Sequence, residues 1–375
     1  FPEVPVPLVT GATGFLGRFV VGALLEATNA RVICMVRAKD PAEGRKRVLE
    51  SLRKASVPER FFDRIEAVIG DLAQRSLGLS YADFQQLAGR ATHVFHSAAK
   101  VNLTEPFELM RKDNIDATDH LLEFCCSVQT KPFHHISTMG VLTPDMLNRH
   151  GVVEESAKLG DMRTMPLYGT GDQANGYPYS KWVAEAHVFE AANRGLPAYV
   201  HRPGLIGGHS ETGYLGEDVF FHFLSDVVKS RTLPAMEGNK FNLTPVDWVA
   251  KTIAHIAMSP TVARDPGSVY HPAANNNTVT MDAVWKVLEE AGYTGLTKVD
   301  FTHWRNKILA NPDDFKSWSF CAVLTADGDG IDSMAGNAKA GKAMREVVGN
   351  EAFDNYDPLA CLRLMFAFCR ANGMM

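Results

Sequence analysis

Apolar positions along this chain fall into short extended runs separated by amphipathic stretches. The first run, Val4, Val6, Leu8 and Val9, stops at Thr10–Gly17, which reads TGATGFLG. From Phe19 to Leu25 the apolar residues follow one another with helical character. A strand, a glycine turn and a helix open a dinucleotide-binding βαβ unit. Gly11 and Gly14 are expected where the backbone angles forbid a Cβ, and Gly14 also where the chain approaches a pyrophosphate. Gly17 is expected to let the helix pack on the sheet. The helix N-terminus turns free N–H groups and partial positive charge toward the phosphates. The glycines are spaced Gly-x-x-Gly-x-x-Gly, not G-x-G-x-x-G, so a purely structural turn stays open at this point.

Further apolar runs follow at Arg31–Val36, Ala67–Ile69, Thr92–His96, Phe133–Ile136 and Ala198–Val200. Between them lie helical patterns such as Asn114–Cys126 and Tyr177–Ala192. Strands alternating with helices predict a parallel, doubly wound sheet. Residues 143–176 are polar and rich in Pro and Gly, an insertion with the character of a lid, closed by Asn175–Gly176. Beyond residue 209 the pattern changes. Asp218–Leu233 reads as a helix, Thr244–Trp248 starts another with Pro245 near its first turn, and Ser268–His271 reads as a strand. From Thr280 the chain is mainly helical and ends in the apolar stretch Leu359–Phe368. The predicted architecture is α/β, a Rossmann doubly wound parallel sheet with a smaller, mainly helical C-terminal substrate subdomain. Residues 1–209 form the first part, with a return segment at about 244–275. Residues 210–243 and 276–375 form the second.

Composition changes this picture little. The chain has 375 residues, 46% hydrophobic and 22% charged, with net charge −5, an ordinary globular balance that gives no support for a nucleic-acid partner. The six cysteines are scattered, with no CxxC, as reduced core residues of a cytoplasmic protein would be. No apolar stretch approaches the roughly 18 to 20 residues of a membrane helix, and no signal-peptide pattern opens the chain. It begins without Met in a lead interrupted by Pro2, Pro5 and Pro7. This is the look of a domain cut from a longer polypeptide, or of a free-standing protein that has been trimmed.

The strand ends carry the candidate chemistry. Just past the second strand, where an acid would bind an NAD ribose, stands Arg37, followed by Ala38 and Lys39. A guanidinium suits a 2′-phosphate, so NADP is preferred, with Arg47 on the next helix as a second phosphate contact. Asp71 and Leu72 end the third strand, where the adenine edge lies, and Ser97 and Ala98 end the fourth, where small residues leave room for the cofactor's centre. The fifth ends in Ser137–Thr138 and the sixth in His201–Arg202–Pro203–Gly204. Tyr177 and Lys181 are four apart at the start of a helix and share a face. A nearby ammonium favours the phenolate, so Lys181 is expected to lower the Tyr177 pKa, with the Thr138 hydroxyl offered to the same oxygen.

The set TGATGFLG, VRAK, GDL, HSAAKVN, STMGV, NGYPYSKW and RPGLIGG resembles the extended short-chain dehydrogenase/reductase superfamily. Within it the chain is most similar to the thioester reductase domains that terminate non-ribosomal peptide synthetases and form the reductase part of carboxylic acid reductases. The motifs cover about the first 210 residues, and Pro245–Ala250 resembles the return segment. The resemblance implies NADPH as cofactor and, as partner, an acyl or peptidyl carrier protein whose phosphopantetheine thioester is released as an aldehyde, or further as an alcohol. It implies upstream adenylation and carrier domains in the same polypeptide, and a monomeric domain. It makes Thr138, Tyr177 and Lys181 the catalytic triad. Gly11, Thr13, Gly14, Phe15, Leu16, Gly17, Arg37, Asp71, Leu72, Ser97, Ala98, Lys181, Pro203, Gly204 and Leu205 line the cofactor. Asn114 supports the lysine, and Gly204 leaves space beside the nicotinamide. Alternatives are an acyl-CoA reductase, another extended reductase, or a non-catalytic NADP-binding protein.

Other signals are read as structure. His93, His96, His134 and His135 sit in or beside strands and are expected to pack there, not to hold a metal. Asp327–Asp332 departs from a calcium loop at Ile331, Asp332 and Ala338, and is read as a turn. The Asn-x-Thr sequons at Asn102, Asn242 and Asn276 carry little meaning in a cytoplasmic protein.

Overall fold

The computed structural model describes residues 4–164, 176–236, 240–260, 262, 264–274, 278–318, 321 and 341–375. Asn175, Asn276 and the turn expected at Asp327–Asp332 lie outside the described residues.

Thirteen strands are described, of which seven form one sheet. β1 (Pro7–Thr10), β2 (Val32–Val36), β3 (Ile65–Ile69), β4 (His93–His96), β5 (Phe133–Ile136), β6 (Ala198–His201) and β11 (Val269–Tyr270) pair in the order β3-β2-β1-β4-β5-β6-β11, all parallel. Between them run α1 (Phe15–Ala27), α2 (Pro41–Lys54), α3 (Tyr81–Arg90), the short α4 (Phe107–Met110), α5 (Ala117–Cys126) and α6 (Gly176–Asn193). β1, β2, β4, β5 and β6 are buried along their whole length, because helices cover both faces. Alternation sorts their side chains. Val9, Val32, Cys34 and Val36 join a core with α1, α2 and α8 (Val246–Met258), whereas Leu8, Ile33 and Met35 join one with α3, α5 and α6. The order of connection reverses between β1 and β4, where ligands of such sheets bind.

The remaining chain builds a third core. It draws on α7 (Val219–Ser230), α9 (Met281–Glu290), α10 (Phe301–Leu309) and the C-terminal helix Pro358–Ala371, around Trp304, Phe223 and Phe366. The helix expected over Asp218–Leu233 ends earlier. Asp218 caps it by accepting from the Phe221 N–H at 2.9 Å, and Arg231 stops it in the left-handed region at φ 54°. The chain then continues as β8 (Thr232–Ala235), paired in parallel with β13 (Thr297–Asp300). Two further small sheets pair β7 (Ile206–Gly207) with β10 (Thr244–Pro245), and β9 (Lys240–Asn242) with β12 (Thr278–Thr280).

The stretch read as a lid is anchored over its described part. Arg202, fully buried just past β6, ion-pairs with Glu185 of α6 at 2.6 Å and donates to the carbonyls of Ala157 (2.9 Å) and Lys158. Glu155 accepts from the His271 N–H at 2.6 Å, and the Trp182 indole donates to the Gly160 carbonyl at 3.3 Å. Polar composition there reflects pairing with the sheet edge, not freedom from it. Among the described residues no helix is long and apolar enough to cross a membrane.

Candidate active site

The carboxyl ends of β1–β4 surround an open cleft of about 380 Å³. Its lining includes Gly11, Thr13, Arg37, Arg47, Asp71, Leu72 and Ala98, seven of the candidate cofactor residues. Met35, Ala73, Lys100 and Asp113 also line it. Lys100 stands in the quoted HSAAKVN run; Asp113 carried no signal.

The glycine turn shapes one wall. Gly11 has φ +71°, and a Cβ on it would lie 2.6 Å from the Ala98 amide nitrogen, so β1 and the end of β4 approach only because it has none. Gly14 corrects the expectation of a forbidden conformation: its φ of −75° is open to any residue. It stands as N-cap of α1 with no side-chain cap, which leaves the first N–H groups of α1 for an anion. Gly17 also differs in its reason. A Cβ there would strike the Gly11 carbonyl, so it packs on the turn and not on the sheet. Arg18 braces the turn from outside, donating to the carbonyls of Gly14 (2.9 Å) and Thr13 (2.8 Å) and to the Tyr214 hydroxyl (2.6 Å). Phe15 turns its ring to Phe19 and Tyr214, and Leu16 packs against the α1 core; neither is among the residues that line the cleft.

Arg37 and Arg47 are both exposed, and an Arg47 N–H donates to the Arg37 carbonyl. Among the described residues neither forms an ion pair. Asp71 accepts from the Ala73 N–H (3.1 Å) and Gln74 Nε2 (2.9 Å); the Gln74 hydrogen bond, the Ala73 N–H and the charges of Lys112 and Arg37 hold its carboxyl below the usual range. The open cleft, the glycines of the turn, the uncapped helix and two guanidinium groups without an ion pair among the described residues fit a dinucleotide phosphate ester.

Thr138, Tyr177 and Lys181 lie at the carboxyl end of β5 and the start of α6. Thr138 Oγ1 accepts from the Gly140 N–H at 3.1 Å, so its own proton is left to donate. Tyr177 is half-buried, and burial pushes its phenol up to about 12. Lys181 is buried and donates to His135 Nε2 at 3.1 Å and to the Ile136 carbonyl at 2.7 Å. Burial pulls its ammonium down to about 7, against an upward pull from Glu185. The expected lowering of the phenol by the ammonium is therefore not found. Lys181 is spent on β5, and desolvation governs the tyrosine, which stays protonated at neutral pH.

Asn114 does not touch Lys181. It sits in a π-helical turn, Arg111–Asp116, and accepts from the Lys100 N–H (2.8 Å) while donating to the Lys100 carbonyl (3.0 Å) and Ser180 Oγ (2.9 Å). Its support reaches the helix of the triad through Ser180 and fixes the loop after β4. That loop meets Gly176, where a Cβ would strike the Glu105 carbonyl. Ser97 follows β4 against Gly11, and the Pro203 carbonyl accepts from the Met139 N–H at 2.9 Å, binding the ends of β5 and β6. Gly204 faces Asn242, whose amide oxygen accepts from the Leu205 N–H at 2.7 Å and fills the space a Cβ would need. That contact alone requires a glycine at position 204.

The NAD-binding family described as "Male sterility protein" matches residues 9–253. The chain is 32% identical over 311 residues to aldehyde reductase lnbA of Aspergillus flavus, covering 81% of this chain and 30% of that protein. It is 32% identical over 309 residues to the non-canonical nonribosomal peptide synthetase FrzA of a Cladobotryum species, covering 80% of this chain and 29% of that one. It thus spans less than a third of either relative. Among solved structures it is similar to the terminal R domain of the myxalamid PKS-NRPS biosynthetic pathway, with TM-score 0.84 and 29% identity over 99% of this chain and 92% of that one.

Proposed function

We propose that this chain, which belongs to the NAD-binding male sterility protein family within the extended short-chain dehydrogenases/reductases, reductively releases an acyl or peptidyl thioester from a carrier protein. The family is one of nicotinamide-dependent reductases, so an NAD(P) cofactor follows from membership. The finer choice is NADPH, supported by exposed Arg37 and Arg47 in the cleft wall and by Arg37 standing directly after β2, where an acid would bind an NAD ribose. Gly11, Thr13, Gly14 to Gly17, Asp71, Leu72, Ser97, Ala98 and Pro203 to Leu205 would hold it.

The observation that supports the reading is Thr138 just past the carboxyl end of β5 and Tyr177 in the first turn of α6, with the carboxyl ends of β1–β4 in the same sheet lining the cleft. When bound, reduced nicotinamide supplies hydride for the thioester carbonyl carbon. Thr138 and Tyr177 donate hydrogen bonds to the carbonyl oxygen as negative charge develops there; one such donor is worth about 3 kcal/mol in the transition state. Tyr177, protonated at neutral pH, gives that oxygen its proton. The resulting hemithioacetal loses that hydroxyl proton, expels the pantetheine thiol and leaves the aldehyde; a second reduction gives the alcohol. Residues 210–243 and 276–375 receive the acyl chain and the carrier. The upstream adenylation and carrier domains, the monomeric state and a cytoplasmic location belong to the same proposal.

The test presents carrier-bound and CoA-bound acyl thioesters with NADPH or NADH, and follows products and cofactor stoichiometry. Carrier-bound substrates should give aldehyde at the expense of NADPH. Tyr177→Phe should lower turnover by a hundredfold or more while NADPH still binds. Equal use of CoA thioesters would point to an acyl-CoA reductase, and binding without turnover to a non-catalytic protein.

A further inference from the structure

We propose that His135 is a positioning residue for Lys181: its imidazole accepts a hydrogen bond from the ammonium and fixes it at the carboxyl end of β5. The inference rests on the nicotinamide reading above and takes Lys181 to line the cofactor, as the family resemblance implies. Lys181 is 1% exposed and His135 0%. A buried ammonium needs partners, and Nζ has two among the described residues, the Ile136 carbonyl at 2.7 Å and His135 Nε2 at 3.1 Å. Any residue at position 136 supplies the carbonyl. Only the side chain at 135 supplies the second acceptor.

The two adjacent histidines of β5 point to opposite faces. His134 stacks between Phe95 and Tyr199 and pairs with His201. His135 turns to the face of α6, with its ring 5.5 Å from that of His96. The charged and titratable groups acting on it are Lys181 of α6, His96 of β4 and His201 of β6; Glu185, one turn further along α6, acts on Lys181. Burial, and then these neighbours, hold His135 well below the usual histidine range, so it is neutral at pH 7. A neutral imidazole has one acceptor nitrogen. With an ammonium at Nε2, that nitrogen is the acceptor and the proton sits on Nδ1.

The contact continues beyond His135. His96 Nδ1 pairs with Thr10 Oγ1 at 2.9 Å, and Thr10 Oγ1 accepts from the Ala98 N–H at 3.3 Å. Through the ring contact of His96 with His135, a packed line of polar side chains runs from Thr10 to Lys181. It ties the residue before Gly11 to the lysine at the other end of the site. Hydrogen bonding to the charged form favours it. Without His135, burial would strip the proton from Lys181 at a lower pH.

The test is fluorescence titration of the intact protein with NADPH between pH 6 and 9. His135→Leu should weaken binding about tenfold at pH 7.5 and move the pH inflection about one unit toward acid. His135→Gln, whose amide oxygen can accept from Nζ, should recover affinity to within about threefold. In a Lys181→Met background, His135→Leu should add nothing further. Wild-type affinity and pH profile in His135→Leu would overturn the proposal. So would an equal loss in His135→Gln, or a loss that persists beside Lys181→Met. A wild-type protein that binds neither NADPH nor NADH would remove the cofactor reading and this inference together; binding that is indifferent to position 135 removes this inference alone.

Discussion

Arg37 leaves the end of β2 with its guanidinium in the cleft wall, its carbonyl held by Arg47 and its charge felt by Asp71. Among the described residues that guanidinium forms no ion pair, which is what supports NADPH in the proposal. Arg37→Asp should weaken NADPH binding by about 10- to 100-fold, the worth of a charge-assisted hydrogen bond, with little loss for NADH. Arg47→Ala, at a more peripheral cation, should cost about threefold. Paired titrations with both cofactors check this, and an unchanged NADPH/NADH ratio in Arg37→Asp would refute it. Residues of this kind were legible because their chemistry is local: a charge after a strand, a hydroxyl after a strand, Tyr and Lys one helical turn apart. The reasons behind single atoms were less so. Gly17 and Gly204 are glycines because of Gly11 and Asn242, and the second partner lies far along the chain. His135 read as packing because nothing in the sequence places Lys181 beneath it.

Among the elements, α6 carries the most consequence, since it opens with Tyr177 and Lys181 and is anchored by Glu185 to Arg202. Both partners are 0% exposed, so the pair gains its stability only when complete. Arg202→Met leaves Glu185 buried without its cation and frees the Ala157 and Lys158 carbonyls. It should destabilise the protein by about 3–5 kcal/mol, seen as a lower urea midpoint. Arg202→Met with Glu185→Leu should recover at least half of that loss; if the double variant is no better than the single one, the pair is not what holds this region. The parallel strands were readable because burial on both faces makes each a short apolar run between polar segments. The anchoring of residues 143–164 was not, because it runs through backbone groups, the carbonyls of Ala157, Lys158 and Gly160 and the N–H of His271. β8 and β13 were also hidden. Each is four residues long, and the turn between α7 and β8 rests on Arg231 in a left-handed conformation with no glycine to signal it.

Taken whole, the sheet buries histidines as neutral side chains at neighbouring positions. Burial holds His93 near 4 and His96 and His201 near 3, and sets His134 and His135 well below the usual value of 6.5. The unfolded chain takes up these protons near pH 6.5 and the folded one does not. The folded state is thus favoured in full above pH 6.5, and loses ground as pH falls from 6.5 toward 3–4. Each histidine contributes a slope of about 1.4 kcal/mol per pH unit within its window. Asp218 opposes them, since burial raises its carboxyl to about 6 and the folded chain holds that proton where the unfolded one has released it. One opposing carboxyl does not cancel several histidines. His93, His96 and His201 against Asp218 leave a net loss of about 3 kcal/mol per pH unit between pH 6 and 4, and His134 and His135 add to it. Across two units that is about 6 kcal/mol, comparable with the roughly 5–15 kcal/mol that stabilises a domain. The melting temperature should fall by on the order of 5 °C or more between pH 7 and pH 5, and further toward pH 4. His93→Gln, the variant nearest the sheet's rim, should flatten the acid limb without touching the triad. A melting temperature unchanged between pH 7 and 5 would mean that these histidines take up protons in place, and that the sheet tolerates charge among them.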